Sequence, residues 1–279
     1  MESYKSKCSR LLSEIDKYTN KDIVIAFSGG VDSSLLLKLA CESAAKKGSE
    51  VHAVTAETGL HPVKDIAIAK KVAEEAGAIH HVVRIDELKN AGIEHNPVDR
   101  CYLCKKHIFS ELKKYAEGLN IDVVLEGTNE DDLHEYRPGI RALRELNILS
   151  PIADAGMTKE DVREMAREFG ISVADRPSSP CLATRFPYGT LLSDEKMRAV
   201  EKGESYIQEL GFYNVRIRVH EDIARIEVDE KEMKELLDKR GKVIRLLKDL
   251  GFEYITVDLE GFRSGSMDNK VKSREQAVD

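Results

Sequence analysis

Ile23-Val24-Ile25-Ala26-Phe27-Ser28-Gly29-Gly30-Val31-Asp32-Ser33-Ser34 decides how this chain is read. Its first five residues are apolar and partly β-branched, the pattern of a strand buried on both faces of a parallel sheet. A Ser-Gly-Gly turn follows, and Ser33-Ser34-Leu35-Leu36-Leu37-Lys38-Leu39-Ala40 begins an amphipathic helix. Strand, small-residue turn and helix together make a phosphate cradle. The glycines let backbone N–H groups approach anionic oxygens, and the helix N-terminus adds a partial positive charge. The spacing is neither that of a Walker A loop nor Gly-x-Gly-x-x-Gly.

The rest of the chain is consistent with an α/β protein. Val51-His52-Ala53-Val54-Thr55-Ala56 reads as a second strand, 79–85 as a third and 121–129 as a fourth. Between the second and third, Pro62 opens a helix that Gly77 closes. A further helix over residues 3–18 packs beside the first strand. Strands alternating with helices predict a doubly wound parallel sheet, whose ligands lie beyond the carboxyl ends of its strands. The glycine turn, Thr55 to Thr58 and Gly127 to Asp132 then share one edge. Thr158 caps another helix, which Gly170 ends.

The pattern breaks at residues 174–189, where three prolines, two arginines and Cys181 fall within sixteen residues. This is read as a shaped loop at a domain junction. The composition shifts beyond it: Ser193 caps a helix, strands follow at 214–219 and 224–228, then helices within 231–250 and a strand at 254–259. Leu210-Gly211-Phe212 and Leu250-Gly251-Phe252 each precede a strand, which suggests a small internal duplication. The expected organisation is a phosphate-loop domain over 1–175, a loop and linker over 176–192, a small α+β domain over 193–263 and a disordered polar tail over 264–279.

The 279 residues carry a net charge of −7, with 42% hydrophobic and 33% charged residues. Such a composition is that of a globular protein, and the acidic balance argues against broad wrapping of nucleic acid. No apolar run approaches a membrane span, and residues 1–20 lack a signal-peptide core, so a cytoplasmic location is expected. Five cysteines without an export signal point to thiols or metal ligands, not a disulfide framework. Cys8 and Cys41 fall on apolar helical faces as small buried hydrophobes.

Cys101-Tyr102-Leu103-Cys104 is a single Cys-x-x-Cys, open to three readings: a redox pair, half a zinc site or part of an iron–sulfur site. His107 is read as a surface residue. With Cys181 as a third thiolate, the set can hold a [4Fe–4S] cluster with one open iron, which can pass a sulfide to an activated carbon. Arg216 and Arg218 share one face of a strand, suited either to a phosphate or to solvent. Asp131 and Asp132 either ligate Mg²⁺ or cap a helix.

Ser-Gly-Gly-Val-Asp-Ser resembles the PP-loop of the ATP pyrophosphatase superfamily, enzymes that split ATP between its α- and β-phosphates. That resemblance implies that Ser28, Gly29, Gly30, Asp32 and Ser33 hold the pyrophosphate, with Asp32 on Mg²⁺, and that Thr55, Thr58, Gly127 and Thr128 contact the nucleotide. Gly127-Thr128-Asn129-Glu130-Asp131-Asp132 and, above all, Pro177-Ser178-Ser179-Pro180-Cys181-Leu182-Ala183-Thr184-Arg185-Phe186-Pro187-Tyr188-Gly189 resemble the LarE family of ATP-dependent sulfur transferases. The likeness runs from about Leu11 to Met267 and includes the stretch from Glu260 to Gly265.

Members of that family adenylate a carboxylate of pyridinium-3,5-dicarboxylate mononucleotide and replace its oxygen with sulfur, in nickel-pincer nucleotide synthesis. In some, the cysteine matching Cys181 gives up its own sulfur and becomes dehydroalanine. Cys101 and Cys104 depart from that pattern and resemble the branch with a three-cysteine [4Fe–4S] cluster. The resemblance also implies that Lys105, Arg216 and Arg218 hold the substrate phosphate near Glu204, and Arg185 is expected among the substrate-binding residues. The expected cofactors are therefore ATP, Mg²⁺ and the cluster. The expected partners are a small-molecule nucleotide and further copies of the chain.

A tRNA thiolase is the rival enzyme reading, although no RNA-binding module or paired zinc ribbon is present. A non-catalytic nucleotide sensor, or an amide-forming ligase, leaves the three cysteines without a role.

Overall fold

Strands β1 (Ile23–Ala26), β2 (Val51–Glu57), β3 (Ile79–Arg84) and β4 (Val124–Leu125) form a parallel sheet in the order β3-β2-β1-β4. The structure is a computed structural model and describes residues 3–134, 138–263 and 266–267. Most of the expected tail over 264–279 lies outside the described residues. The fourth strand is much shorter than the expected 121–129: only Val124 and Leu125 pair with β1, at Val24 and Ile25. Past Leu125 the chain turns at once into the Gly127-Thr128 segment, and Leu125 also bridges Leu149.

The helices follow the strands on both faces. They are α1 (Tyr4–Tyr18), α2 (Val31–Ala45), α3 (Val63–Ala76), α4 (Glu87–Asn90), α5 (Arg100–Gly118), α6 (Glu130–His134), α7 (Gly139–Glu145), α8 (Pro151–Asp154) and α9 (Lys159–Glu168). Alternation along β1 divides the core. Ile23 and Ile25 join Leu11, Leu35, Leu39 and Met165 in one layer, while Val24 joins Val54, Phe109, Leu112 and Leu143 in the other. Helix α2 is apolar nearly all round because it is covered nearly all round: Leu35, Leu36, Leu37 and Ala40 are fully buried. Gly77 closes α3 in the left-handed conformation, and Thr158 forms a reciprocal capping box with Asp161 at α9. Cys8 and Cys41 are half-buried against the first layer, and desolvation pushes both thiols up, that of Cys41 to about 11.

The chain divides into two compact units. One runs through Ile93 and resumes from Asp99 to Ser179; the other comprises Glu94–Val98 and the chain from Pro180 onward. In the second unit α10 (Asp194–Glu209), β5 (Val215–His220), β6 (Ile223–Val228), α11 (Met233–Asp238), α12 (Arg240–Asp249) and β7 (Tyr254–Val257) follow in order. Strand β6 pairs antiparallel with β5 and parallel with β7. The repeated Leu-Gly-Phe marks the same device twice. Gly211 and Gly251 end α10 and α12 at positive φ, and Phe212 and Phe252 are buried ahead of β5 and β7. Gly203 sits mid-helix in α10 because a Cβ there would lie 2.6 Å from Ile217 Cδ1 and 2.9 Å from Leu247 Cδ2.

Asn96 fastens the inserted segment into the second unit. It is fully buried at φ 46°, and its amide donates to the carbonyls of Phe186 (3.0 Å) and Pro187 (2.9 Å). Gly189 N–H donates back to the Asn96 carbonyl, and Leu192 N–H to that of Glu94. Asn tolerates this backbone better than other side chains do, and its amide supplies a donor to one buried and one part-buried carbonyl. Asn96→Ala is expected to lower stability by about 2–4 kcal/mol, seen as a lower urea midpoint. A loss under about 0.5 kcal/mol would mean that both carbonyls find other donors.

Candidate active site

The first cradle is built at the carboxyl end of β1. Gly29 turns the chain at φ 69°, and a Cβ there would meet the backbone of Ala69 on α3 at 2.9 Å. From the other side Gly127, just past β4, closes on the first turn of α2. A Cβ on Gly127 would lie 2.8 Å from Ser33 N and 3.1 Å from the Asp32 carbonyl carbon. The loop braces itself: Ser28 Oγ and Ser33 Oγ lie 3.2 Å apart, Gly30 N–H donates to Ser28 Oγ, and Ser33 Oγ donates to the Gly30 carbonyl. The start of α2, with its unpaired N–H groups, therefore opens onto a floor without side chains. Ser34 adds a buried hydroxyl with no hydrogen-bond partner among the described residues.

Asp32 is held from two sides. Asn129 Nδ2 donates to its Oδ1 at 3.1 Å, and Lys159 Nζ donates to its Oδ2. Asp131 and Asp132 both act as caps. Asp131 accepts from the Lys159 backbone N–H at 2.8 Å, and Asp132 exchanges hydrogen bonds with Asn129. The candidate threonines are engaged within the protein. Thr55 meets His80 Nε2 at 2.9 Å, Thr58 meets His61 Nδ1 at 2.7 Å, and Thr128 donates its N–H and hydroxyl to buried Glu126. Arg176 ties the cradle to the following loop by donating to the Gly29 carbonyl (3.1 Å) and to Asp65 (2.5 Å).

Cys101 and Cys104 lie one turn apart at the start of α5, in no disulfide, Cys101 exposed and Cys104 half-buried. Lys105 packs against Gly139 on α7, with its ammonium 5.9 Å from the Phe109 ring centre. His107 corrects the surface reading: it is half-buried, and its Nε2 is shut away from solvent without a hydrogen-bond partner among the described residues. The helix that carries it packs against the sheet through Phe109 and Leu112, which draws its flank inward.

The second unit holds a separate cluster around Cys181. This half-buried cysteine precedes a 3-10 turn, Leu182–Arg185, and its carbonyl accepts from Thr184 N–H, Thr184 Oγ1 and Arg185 Nη1. Arg185 is buried and forks onto Glu204 at 3.0 and 2.8 Å. Glu204 also accepts from Ile217 N–H. Arg218 pairs with fully buried Glu227 and donates to the Thr184 carbonyl at 3.1 Å.

Arg216 differs from both. It is 9% exposed, lies 5.1 Å over the Phe262 ring and, among the described residues, donates to the Val215 carbonyl alone. Burial, then the neighbouring Arg185 and Arg218, lower its pKa to about 10 against the pull of Glu204 and Glu227. The solvated-face alternative is thus excluded for this strand: Val215 through Val219 are buried on both faces. Glu204 is taken by Arg185 and Glu227 by Arg218 and Arg225, whereas Arg216 pairs with no carboxylate among the described residues, which suits a bound anion.

Lys159, Arg176 and Asn96 are functional or bracing residues that the sequence reading does not single out, whereas Asn129 stands in the quoted Gly-Thr-Asn segment. Lys159 had a legible signal: a cation at the first position of a helix opposes the dipole there. Arg176 and Asn96 are joined to their partners by tertiary contacts alone.

A family model described as a PP-loop domain matches residues 2–138. The chain is 37% identical over 256 residues to a pyridinium-3,5-bisthiocarboxylic acid mononucleotide synthase of Lactiplantibacillus plantarum, covering 92% of each chain. It is 34% identical to an uncharacterized protein of Synechocystis sp., over 98% of this chain and 100% of the other. An uncharacterized protein of Methanocaldococcus jannaschii is 35% identical, over 89% and 94%.

Gly127→Ala isolates the closeness of the cradle, because Gly127 needs no unusual φ and the added methyl meets only backbone. ATP affinity, measured by calorimetry, is expected to fall at least about tenfold, or about 1.4 kcal/mol. Unchanged affinity would remove this turn from the nucleotide site.

Proposed function

The chain belongs to the LarE family of PP-loop ATP-dependent sulfur transferases, and from that premise we propose that it converts a carboxylate of pyridinium-3,5-dicarboxylate mononucleotide into a thiocarboxylate. The observation that carries this reading is Arg216, a buried guanidinium without a carboxylate partner among the described residues. Its neighbour Arg185 holds the carbonyl of Cys181, so an anion-seeking charge and a thiol belong to one local structure. A substrate bearing both a phosphate and an activated carboxyl fits that pairing.

The chemistry has two halves. The cradle of Ser28, Gly29, Gly30, Asp32 and Ser33 holds the β- and γ-phosphates, while the substrate carboxylate attacks the α-phosphorus and pyrophosphate leaves. Mg²⁺ favours carboxylate and phosphate oxygens, and Asp32 is the loop's donor of that kind. AMP is a far better leaving group than oxide, so the acyl-adenylate is open to sulfur. The Cys181 thiolate attacks the acyl carbon and AMP departs. Loss of the Cys181 Cα proton then breaks its Cβ–S bond, which leaves the sulfur on the substrate and dehydroalanine in the chain. Arg185, Arg216 and Arg218 hold the substrate phosphate, with Glu204 fixing Arg185; Lys105 is the fourth cation proposed for that role.

A [4Fe–4S] cluster on Cys101, Cys104 and Cys181 is the alternative sulfur carrier. Among the described residues no three His, Cys, Asp or Glu side chains gather into a metal-holding group. The support for a cluster is the three cysteines themselves, none of them in a disulfide.

Two measurements test the reading. With substrate, ATP should yield AMP and pyrophosphate, and the intact protein should lose the mass of one H₂S at Cys181. ADP as the product would defeat the adenylation half. Iron and labile sulfide in anaerobically prepared protein, lost in Cys101→Ala, would move the sulfur source to a cluster. Separately, Arg216→Met removes the surplus buried charge. It is expected to raise stability without ligand by about 1–3 kcal/mol and to abolish the rise in melting temperature that inorganic phosphate gives the parent.

A further inference from the structure

The ion pair between Lys159 and Asp32 is not accounted for by the chemistry above. Lys159 occupies the first position of α9, where the aligned peptide dipoles repel a cation, yet its ammonium turns toward the cradle. Asp131 pins its backbone N–H, so the root of the side chain is fixed and only its stem can move. With Asn129 on Oδ1 and the ammonium on Oδ2, both oxygens of Asp32 are taken. A divalent cation approaching Oδ2 meets the ammonium there. The lysine side chain is 35% exposed and that of the aspartate 19%, so the pair lies open to an incoming ligand.

We propose that Lys159 is a charge placeholder that makes metal entry at Asp32 depend on the nucleotide. In the free protein the ammonium neutralises Asp32, and a divalent ion arriving alone meets both an occupied ligand and a like charge. A polyphosphate on the cradle offers the ammonium a second anion within reach of its flexible stem. The ammonium then moves to a phosphate oxygen and Asp32 is released. On pyrophosphate formation the same ammonium faces the charge that develops on the leaving group. This inference rests only on the nucleotide half of the proposed function and is independent of the sulfur source.

The test uses Mn²⁺ as the probe, followed by its electron paramagnetic resonance signal, with full-length protein and no nucleotide. Lys159→Met is expected to bind Mn²⁺ at least tenfold more tightly than the parent, and adding Asp32→Asn should remove that gain. Lys159→Arg should behave as the parent does. Metal-free ATP affinity, measured by calorimetry in chelator, should fall at least tenfold in Lys159→Met. Equal Mn²⁺ affinity in the parent and Lys159→Met, or a gain that survives Asp32→Asn, would overturn the proposal. Failure of the parent to bind ATP at all would instead defeat the PP-loop reading.

Discussion

The close approach of the Gly127 turn to the first turn of α2 is the constraint on which the nucleotide end depends. Two backbones meet there with no room for a methyl group. The approach follows from the sheet order: β4 lies beside β1, so the chain leaving β4 passes the helix that β1 feeds. Everything that addresses Asp32 arrives by the same route. Asn129 is two residues past Gly127, and Asp131, two further on, holds the backbone of Lys159. Widening the turn would displace the amide and ammonium partners of Asp32 together.

In the second unit the governing term is electrostatic. Arg185 forks onto both oxygens of Glu204, Arg218 sets two nitrogens on one oxygen of Glu227, and each carboxylate finds further donors, Arg225 among those at Glu227. Arg216 has no carboxylate partner among the described residues, and its depressed pKa reflects a cost carried by the folded chain. Part of the offset comes from the Phe262 ring, whose face tolerates a guanidinium better than most apolar surfaces do. Charge surplus beside a thiol is a poor way to make a stable domain and a good way to attract a phosphorylated substrate.

Much of this was legible in the sequence because it is local. The β-branched run at 23–27, Gly77 after α3 and Thr158 before α9 each act within a few residues, and the structure places them as read. The Leu-Gly-Phe pairs were legible for the same reason. The fourth strand was overextended because 121–125 and Gly127-Thr128 look continuous in composition, whereas the cradle needs the chain to turn after Leu125. Arg216 and Arg218 show the limit differently: period-two spacing assigns a face but not what covers it. His107 fails for the same reason on a helix. Lys159, Arg176 and Asn96 meet partners 127, 147 and 90 positions away, a relation that no window of sequence contains.

The Asn96 clasp also bears on how the protein is made. Glu94–Val98 belongs structurally with a unit whose remaining residues begin at Pro180. A ribosome adding about 5–20 residues per second delivers Asn96 roughly 5–18 seconds before the Phe186 carbonyl it must reach, 90 positions on. In that interval the whole of the Asp99–Ser179 segment emerges, so the first unit has its full sequence while the inserted segment still waits as a hydrated loop. A gene fragment that starts at Pro180 never encodes that segment. The second unit is therefore not heritable as one contiguous piece of chain, and its recombination with other domains has to carry Asp99–Ser179 along.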